Sequence, residues 1–380
     1  MRTLTTLGAI STRRFMREYW QRKPLLLRAA FPGFAPPLGR DWLFELAAHE
    51  EVESRLVLRE RGRVVLRHGP FPRRSLPPLA QSRWTLLVQG VDLADAGARE
   101  LLARFRFVPD ARLDDLMVSY ATDGGGVGPH VDNYDVFLLQ ACGRRRWRIS
   151  HQRDQRLRSG TALPLLANFH PEREWVLDPG DMLYLPPGVA HDGIAVGECI
   201  TYSIGFRTPV WQELLDPWFA AFAEHAAVRG RYQDAGQRPV RHPGELPRAL
   251  VTRTHEALGR LRPTRAHTER FLLEYLSEPK RQVVFDRPRR SLKPAGFARA
   301  ASSRGVRLDR RSRILLGQPG IALNGELFVV ERALRPLLRS LSDHWVLDAA
   351  SCRRAPAALL ALLHDWWLAG WLHLGTEARQ

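Results

Sequence analysis

Apolar residues along this chain fall into two regimes. Between about residue 25 and residue 206 they come as short alternating or continuous runs broken by glycine and proline, the spacing of strands; beyond residue 209 they recur every three or four positions, the spacing of helices. The first element is a short amphipathic helix over 11–22. Ser11 and Thr12 can cap it, Phe15, Met16, Tyr19 and Trp20 share one face, and Pro24 discourages its continuation. Leu25-Leu26-Leu27 reads as a strand, 41–48 as a second helix, 52–65 as a hairpin turning at Gly62, 84–90 as a buried strand and 94–105 as a helix. Strands follow at 116–121, at 137–139, which Cys142-Gly143 turns into a hairpin with 144–149, at 182–185 and at 200–206. Many short strands joined by turns predict a jelly-roll or cupin-type barrel that ends near Arg207-Thr208-Pro209.

After this point Trp211, Leu214, Leu215, Trp218, Phe219 and Phe222 predict a helix with a wide apolar face, despite Pro217. A loop over 229–247 separates it from helices at 249–261 and 264–276. Such faces are buried either in the core of a small bundle or across a homodimer interface, and the pattern leaves both open. From about Val284, a helix at 295–302, strands at 313–316 and 326–330, a helix at 332–341 and a last helix from Pro356 to Gly370 suit a winged-helix fold. The chain thus divides into 1–209, 210–284 and 285–380, as its 380 residues allow. The predicted class is α+β: a double-stranded β-helix barrel, a helical region and a winged-helix domain.

Composition narrows the function little. The 44% hydrophobic content is that of a folded globular protein. The formal charge is +17, and nearly all the cations are arginine, with Lys23, Lys280 and Lys293 the only lysines. This balance favours an anionic partner, a nucleic acid or a protein embedded in RNA, and equally describes a generally solvated basic surface. Cys142, Cys199 and Cys352 are too dispersed for a disulfide framework or a zinc site. With no secretory leader and no apolar run of membrane-spanning length, the expectation is a cytoplasmic protein without membrane contact.

The chemistry concentrates in Gly124-Gly125-Gly126-Val127-Gly128-Pro129-His130-Val131-Asp132-Asn133-Tyr134-Asp135-Val136-Phe137. On an extended strand His130 and Asp132 point the same way and can share one cation. A third ligand, His191, follows the Pro186-Pro187-Gly188 turn after a strand-like run. A lone His-x-Asp carries little weight. With the returning histidine it gives two imidazoles and one carboxylate, the facial set that suits Fe(II) and leaves positions open for molecular oxygen. The glycines read as a compliant lip beside Tyr134. In the 144–149 strand, Arg145 shares a face with Trp147 and Ile149; if that face points into the barrel, Arg145 is a buried guanidinium that demands a carboxylate. The distal carboxylate of 2-oxoglutarate or an internal Asp or Glu could supply it.

Taken together, the Gly-Gly-Gly-Val-Gly-Pro-His-x-Asp-x-Tyr-Asp-Val-Phe stretch, the Gly143-Arg144-Arg145-Arg146-Trp147-Arg148 strand and Pro-Pro-Gly-x-x-His resemble the Jumonji-C ribosomal oxygenases of bacteria. Gly69-Pro70-Phe71, 84–89 and Asp114-Asp115-Leu116-Met117 extend the likeness toward the N-terminus; the last third matches in outline. The resemblance implies an Fe(II)- and 2-oxoglutarate-dependent arginine 3-hydroxylase of large-subunit ribosomal protein sixteen. It implies His130, Asp132 and His191 as iron ligands, Arg145 as the 2-oxoglutarate anchor with Ser119 assisting, and a homodimer formed through the helical region. Ser119, Met117 and Asp115 share strand parity, so Asp115 would accept the substrate guanidinium between the walls of Met117 and Tyr134. Asn133 and Thr201 depart from the family's pattern, which has Gln and Asn at these places in some members. Hydroxylation of a histidine and demethylation of another protein use the same oxidant. A different class of function, a nucleic-acid-binding regulator with a ligand-sensing barrel, would not need both an iron triad and a cosubstrate anchor.

Overall fold

The computed structural model describes residues 3–60, 63–225, 231–236, 238–239 and 244–375. The expected turn at Gly62 and parts of the expected 229–247 loop lie outside the described residues. A two-residue ladder, β1 (Thr6–Leu7) and β2 (Ile10–Ser11), leads into α1 (Thr12–Glu18), which Ser11 caps by accepting the Arg14 N–H. Then come β3 (Leu25–Leu27), α2 (Arg40–Leu46), β4 (Ser54–Glu60), β5 (Arg63–His68), β6 (Trp84–Val88), α3 (Val91–Ala94), α4 (Ala96–Ala103) and β7 (Leu113–Ala121). They are followed by β8 (His130–Val131), β9 (Asp135–Ser150), β10 (Arg173–Leu177), β11 (Met182–Leu185) and β12 (Ala190–Phe206). The strands pair in the order β3-β11-β9-β12-β7-β6-β4-β5, with β10 on β9 and β8 on β12.

One face of this sheet is covered by the N-terminal helices. Phe15, Phe44 and Leu101 share a core with Tyr120, Phe137, Tyr184 and Tyr202. A second core, of Val136, Leu138, Trp147, Ile149, Leu183 and Leu185, fills the barrel. Burying each such side chain contributes about 1.5–3 kcal/mol.

The hairpin expected at Cys142-Gly143 does not form. β9 runs on through it, and both halves pair with β12: Gln140 opposite Thr201, and Arg144 opposite Val196. Gly143 takes a left-handed φ of 60°, and a Cβ there would stand 2.0 Å from the Glu198 carbonyl oxygen. Such a residue makes a bulge, which bends a strand without reversing it. The bulge also shifts the side-chain parity. Val136 and Leu138 face the barrel interior before it, Trp147 and Ile149 after it, so even and odd positions reach one core. Gln140 braces the bend by donating Nε2–H to the carbonyls of Cys142 and Gly143.

The remaining elements are α5 (Trp211–His225), α6 (Arg248–Gly259), α7 (Arg265–Ser277), α8 (Pro294–Arg304), β13 (Val306–Leu308), β14 (Ile314–Leu316), β15 (Ile321–Leu323), β16 (Glu326–Phe328), α9 (Arg335–His344), β17 (Val346–Leu347), α10 (Ala349–Arg353), α11 (Ala357–Leu368) and β18 (Leu372–Leu374). Contacts gather the chain into two compact units that are not sequential thirds: Met1–Thr208 with Pro279–Ser312 and Ala333–Gln380, and Pro209–Glu278 with Arg313–Arg332. In the first unit the sheet β17-β13-β18 belongs with the barrel. Trp345 lies under the guanidiniums of Arg99 and Arg106 at 3.7 and 4.5 Å, and Arg310 donates to the Ala94 carbonyl. In the second unit Thr264 caps α7, Phe222 of α5 meets His267 of α7, and the β15–β16 turn is tied to α7 by the Gly325 N–H donating to Ser277 Oγ. The apolar surface of α5 is divided: Trp218 is buried, while Trp211, Leu215 and Phe219 are 80%, 41% and 59% exposed. No helix among the described residues is long and apolar enough to cross a membrane.

Candidate active site

Strand register brings the two histidines together. β8 pairs with the start of β12 so that His130 stands directly opposite His191, and their ring centroids are 4.3 Å apart. Asp132 lies just past the end of β8, with its carbonyl oxygen accepting the Gly188 N–H of the Pro-Pro-Gly turn. Its carboxylate reaches both rings, at 3.8 Å from His130 Nε2 and 3.5 Å from His191 Nε2. One ligand atom from each residue lies within 4.8 Å of the others.

The hydrogen bonds behind the rings set their tautomers. His130 Nδ1 is 2.8 Å from the Gly128 carbonyl oxygen, and His191 Nδ1 is 3.0 Å from that of Val189. A carbonyl can only accept, so each Nδ1 carries the proton and each Nε2 turns a lone pair toward Asp132, the form in which imidazole binds a metal. Burial, reinforced by His191, pushes the His130 pKa down. For His191 burial acts the same way, but the imidazolium form would gain a hydrogen bond to Asp132 and the attraction of its charge, and these, together with the Val189 carbonyl and Asp192, outweigh burial and raise the pKa. Burial would raise the Asp132 pKa, yet the two histidines and a hydrogen bond from Tyr134 bring it below its ordinary value. Tyr134 is 40% exposed; partial desolvation and the neighbouring Asp132 push its phenol up.

The glycines ahead of His130 are packed tight, which corrects the expectation of a compliant lip. A Cβ on Gly126 would lie 2.3 Å from the Gly193 carbonyl oxygen of β12, and one on Gly125 would lie 2.5 Å from that of Trp84. Only glycine lets this backbone approach so closely, and the N–H of Gly124 and the carbonyl of Gly125 both bond Ala195.

Arg145 points into the barrel and is 4% exposed. Its Nε and Nη2 are buried without a hydrogen-bond partner among the described residues, and its guanidinium carbon is 5.7 Å from the Trp147 ring centroid. An internal carboxylate, the alternative the sequence left open, does not meet these two nitrogens. Ser119 is buried on β7 and donates to the Thr201 carbonyl at 3.4 Å. Thr201 Oγ1 in turn donates to Gln140 Oε1 at 3.0 Å, so this departure from the family pattern is absorbed by the residue that braces the β9 bend.

Asp115 is buried, and its Oδ2 accepts from Lys280 Nζ at 2.6 Å and from the Gly90 N–H at 3.1 Å. Burial opposes the Lys280 charge, but Asp115 and Asp114 outweigh it and raise the pKa. Met117 is half-buried, with Sδ 4.0 Å from Arg55 Nη2. Sequence reasoning missed Lys280 and Arg55. A lysine kept among so many arginines was the available signal for the first; Arg55 had none.

Comparison with known proteins places the whole chain. The JmjC domain family matches residues 100–214, an AraC-like ligand binding domain 169–276, and the ROXA-like winged helix 257–373. Ribosomal protein uL16 3-hydroxylase of Escherichia coli is 33% identical over 340 residues, 88% of this chain and 89% of that protein. A probable ribosomal oxygenase of Haemophilus influenzae is 36% identical over 211 residues, 53% of this chain and 51% of the relative. The crystal structure of E. coli YcfD superposes with a TM-score of 0.85 at 30% identity, covering 98% of this chain and all of the other. A structure of that ribosomal oxygenase in complex with cobalt and 2-oxoglutarate gives 0.82 at 30% identity over 96% of this chain and 98% of the other. With a third of its residues shared along nearly the full length of both proteins, the chain belongs to the JmjC family of ribosomal oxygenases.

Proposed function

We propose that this protein is an Fe(II)- and 2-oxoglutarate-dependent oxygenase that 3-hydroxylates an arginine of ribosomal protein uL16 in the cytoplasm. The observation that carries the reading is the pairing, inside one barrel, of the His130–Asp132–His191 cluster with the buried Arg145 guanidinium, whose Nε and Nη2 meet no hydrogen-bond partner among the described residues. A lone buried charge is costly, and a dicarboxylate cosubstrate offsets that cost.

Fe(II) held by His130, Asp132 and His191 supplies the chemistry by which oxygen and 2-oxoglutarate become succinate and carbon dioxide while a C–H bond becomes C–OH. Every other task falls to the chain. The backbone carbonyls behind both imidazoles keep the Nε2 lone pairs aimed at the metal position. Arg145 takes the distal carboxylate of 2-oxoglutarate, with Ser119 beside it, and the core around Trp147 and Leu138 keeps bulk water away. Tyr134 and Met117 flank the entering arginine. Lys280 and Gly90 both bond Asp115 through Oδ2, so Oδ1 remains to accept the guanidinium. Positioning the β-carbon is the protein's main contribution to rate.

Purified protein incubated with Fe(II), 2-oxoglutarate and uL16 is expected to add one oxygen to one arginine, read by peptide mass spectrometry. Turnover of 2-oxoglutarate with no oxygen on uL16 would sink the substrate while sparing the enzyme class. Oxygen found on a histidine, or loss of methyl groups from another protein, would move the chain to the other chemistries of the family.

The exposed stripe of Trp211, Leu215 and Phe219 supports a homodimer formed across α5. Light scattering at micromolar concentration is expected to return the mass of two chains, and a Trp211→Glu/Phe219→Glu variant the mass of one. A wild-type monomer would remove the dimer.

A further inference from the structure

A cavity of ≈ 460 Å³ opens beside the metal-binding stretch. Arg59, Arg63, Arg83 and Arg158 line it together with the apolar Leu165 and Phe169. Gly124 and Pro129 form its rim, and Pro129 directly precedes His130. The rim is fixed: the Leu166 N–H donates to the Pro129 carbonyl at 2.9 Å, and the Leu165 side chain packs where a Cβ on Gly128 would stand.

The charge arrangement is unusual for this protein. Arg106, Arg148 and Arg311 each meet an aspartate. Among the described residues no carboxylate lines this cavity. Arg83 adopts a left-handed φ of 65°, uncommon for a side-chain-bearing residue, which lays its Cγ against Gly124. Four cations sharing one concave wall repel one another unless an anion joins them.

We propose that this groove binds the phosphodiester backbone of RNA, with a base stacked on the face of Phe169 opposite the Arg148 guanidinium, which stands 5.8 Å from the ring centroid, so that the enzyme meets its substrate as a ribonucleoprotein. A basic ribosomal peptide would be repelled by the groove. Guanidiniums fit phosphate in bidentate geometry, and an aromatic ring beside them suits a base better than an acidic side chain. The choice of RNA over an acidic peptide rests on the ribosomal substrate proposed above.

The test is fluorescence anisotropy with a labelled twelve-nucleotide single-stranded RNA at 50 to 200 mM KCl. With three or four phosphates neutralised, the slope of log K against log salt is expected near about −2 to −3. An Arg63→Gln/Arg158→Gln variant is expected to bind at least tenfold more weakly at 50 mM, with a slope shallower by about 1.4. Arg290→Gln/Arg304→Gln, at exposed positions elsewhere, is the control and is expected to lose little. Photo-crosslinking of wild-type protein to thiouridine-labelled RNA gives a reading free of mutations, with adducts expected near Phe169. Equal losses in both variants, adducts confined to other surfaces, or displacement of the RNA by a tighter-binding poly-glutamate peptide would overturn the proposal. Hydroxylation of uL16 is scored separately: a hydroxylase whose RNA binding ignores the groove removes the groove alone. RNA held in the groove by a protein that leaves uL16 unmodified removes the substrate alone.

Discussion

Asp132→Asn is expected to lower hydroxylation of uL16 by about three orders of magnitude or more, well beyond the 10–100-fold that partners one shell behind a metal ligand typically carry. The substitution keeps the shape of the side chain and leaves the backbone carbonyl that accepts the Gly188 N–H. What it removes is the anion that lies 3.8 and 3.5 Å from the two imidazole nitrogens. Two neutral histidines alone bind a divalent cation weakly, and the amide oxygen supplies no charge. A second readout needs no turnover. A metal that binds only the folded state at a hundred times its Kd stabilises by about 2.7 kcal/mol, so Mn(II) is expected to raise the Tm of the wild type and not that of the variant. Metal-free Tm values within a degree or two would show that the variant folds. Retention of the Mn(II) shift would place the metal elsewhere.

How legible this site was in the sequence depended on the distance over which each feature is encoded. His130, Asp132 and His191 stand out because ligand chemistry restricts residue type and because turns rich in glycine and proline bracket them. Arg145 was singled out by strand parity over five residues, an inference that needed only the local period. The β9 bend was misread because Cys142-Gly143 carries the composition of a hairpin turn, and only pairing with β12, more than fifty residues later, distinguishes a bulge from a reversal. The same holds for the glycines before His130. Their tightness comes from the backbones of β6 and β12, which local composition does not encode. Strands of two or three residues such as β13, β17 and β18 lie below any hydrophobic period. They exist because β13 is sandwiched between the other two. The association of β14–β16 with α7 in one compact unit was likewise beyond a reading that cuts the chain in sequence order.

Arg145→Met is expected to move two quantities in opposite directions, which separates a cosubstrate anchor from a structural arginine. In the wild type Nε and Nη2 are buried without hydrogen-bond partners among the described residues, so the cosubstrate-free protein carries a charge that no carboxylate meets there. A methionine of similar length removes that cost and is expected to raise the stability of the cosubstrate-free protein by about 1–3 kcal/mol, read as a higher denaturation midpoint with an unchanged m-value. With 2-oxoglutarate the sign reverses. Losing a desolvated, charge-assisted pair costs about 3–5 kcal/mol, so KM for 2-oxoglutarate is expected to rise by about two to four orders of magnitude. The stabilisation that 2-oxoglutarate gives the wild type is expected to vanish with it. Arg145→Lys keeps the charge without the fork and is expected to fall between the two. A structural arginine would behave otherwise: Arg145→Met would destabilise the free protein and leave KM for 2-oxoglutarate within a few-fold. The Trp147 ring beside the guanidinium offers a spectroscopic check. Its fluorescence is expected to respond to 2-oxoglutarate in the wild type and to stay constant in the methionine variant.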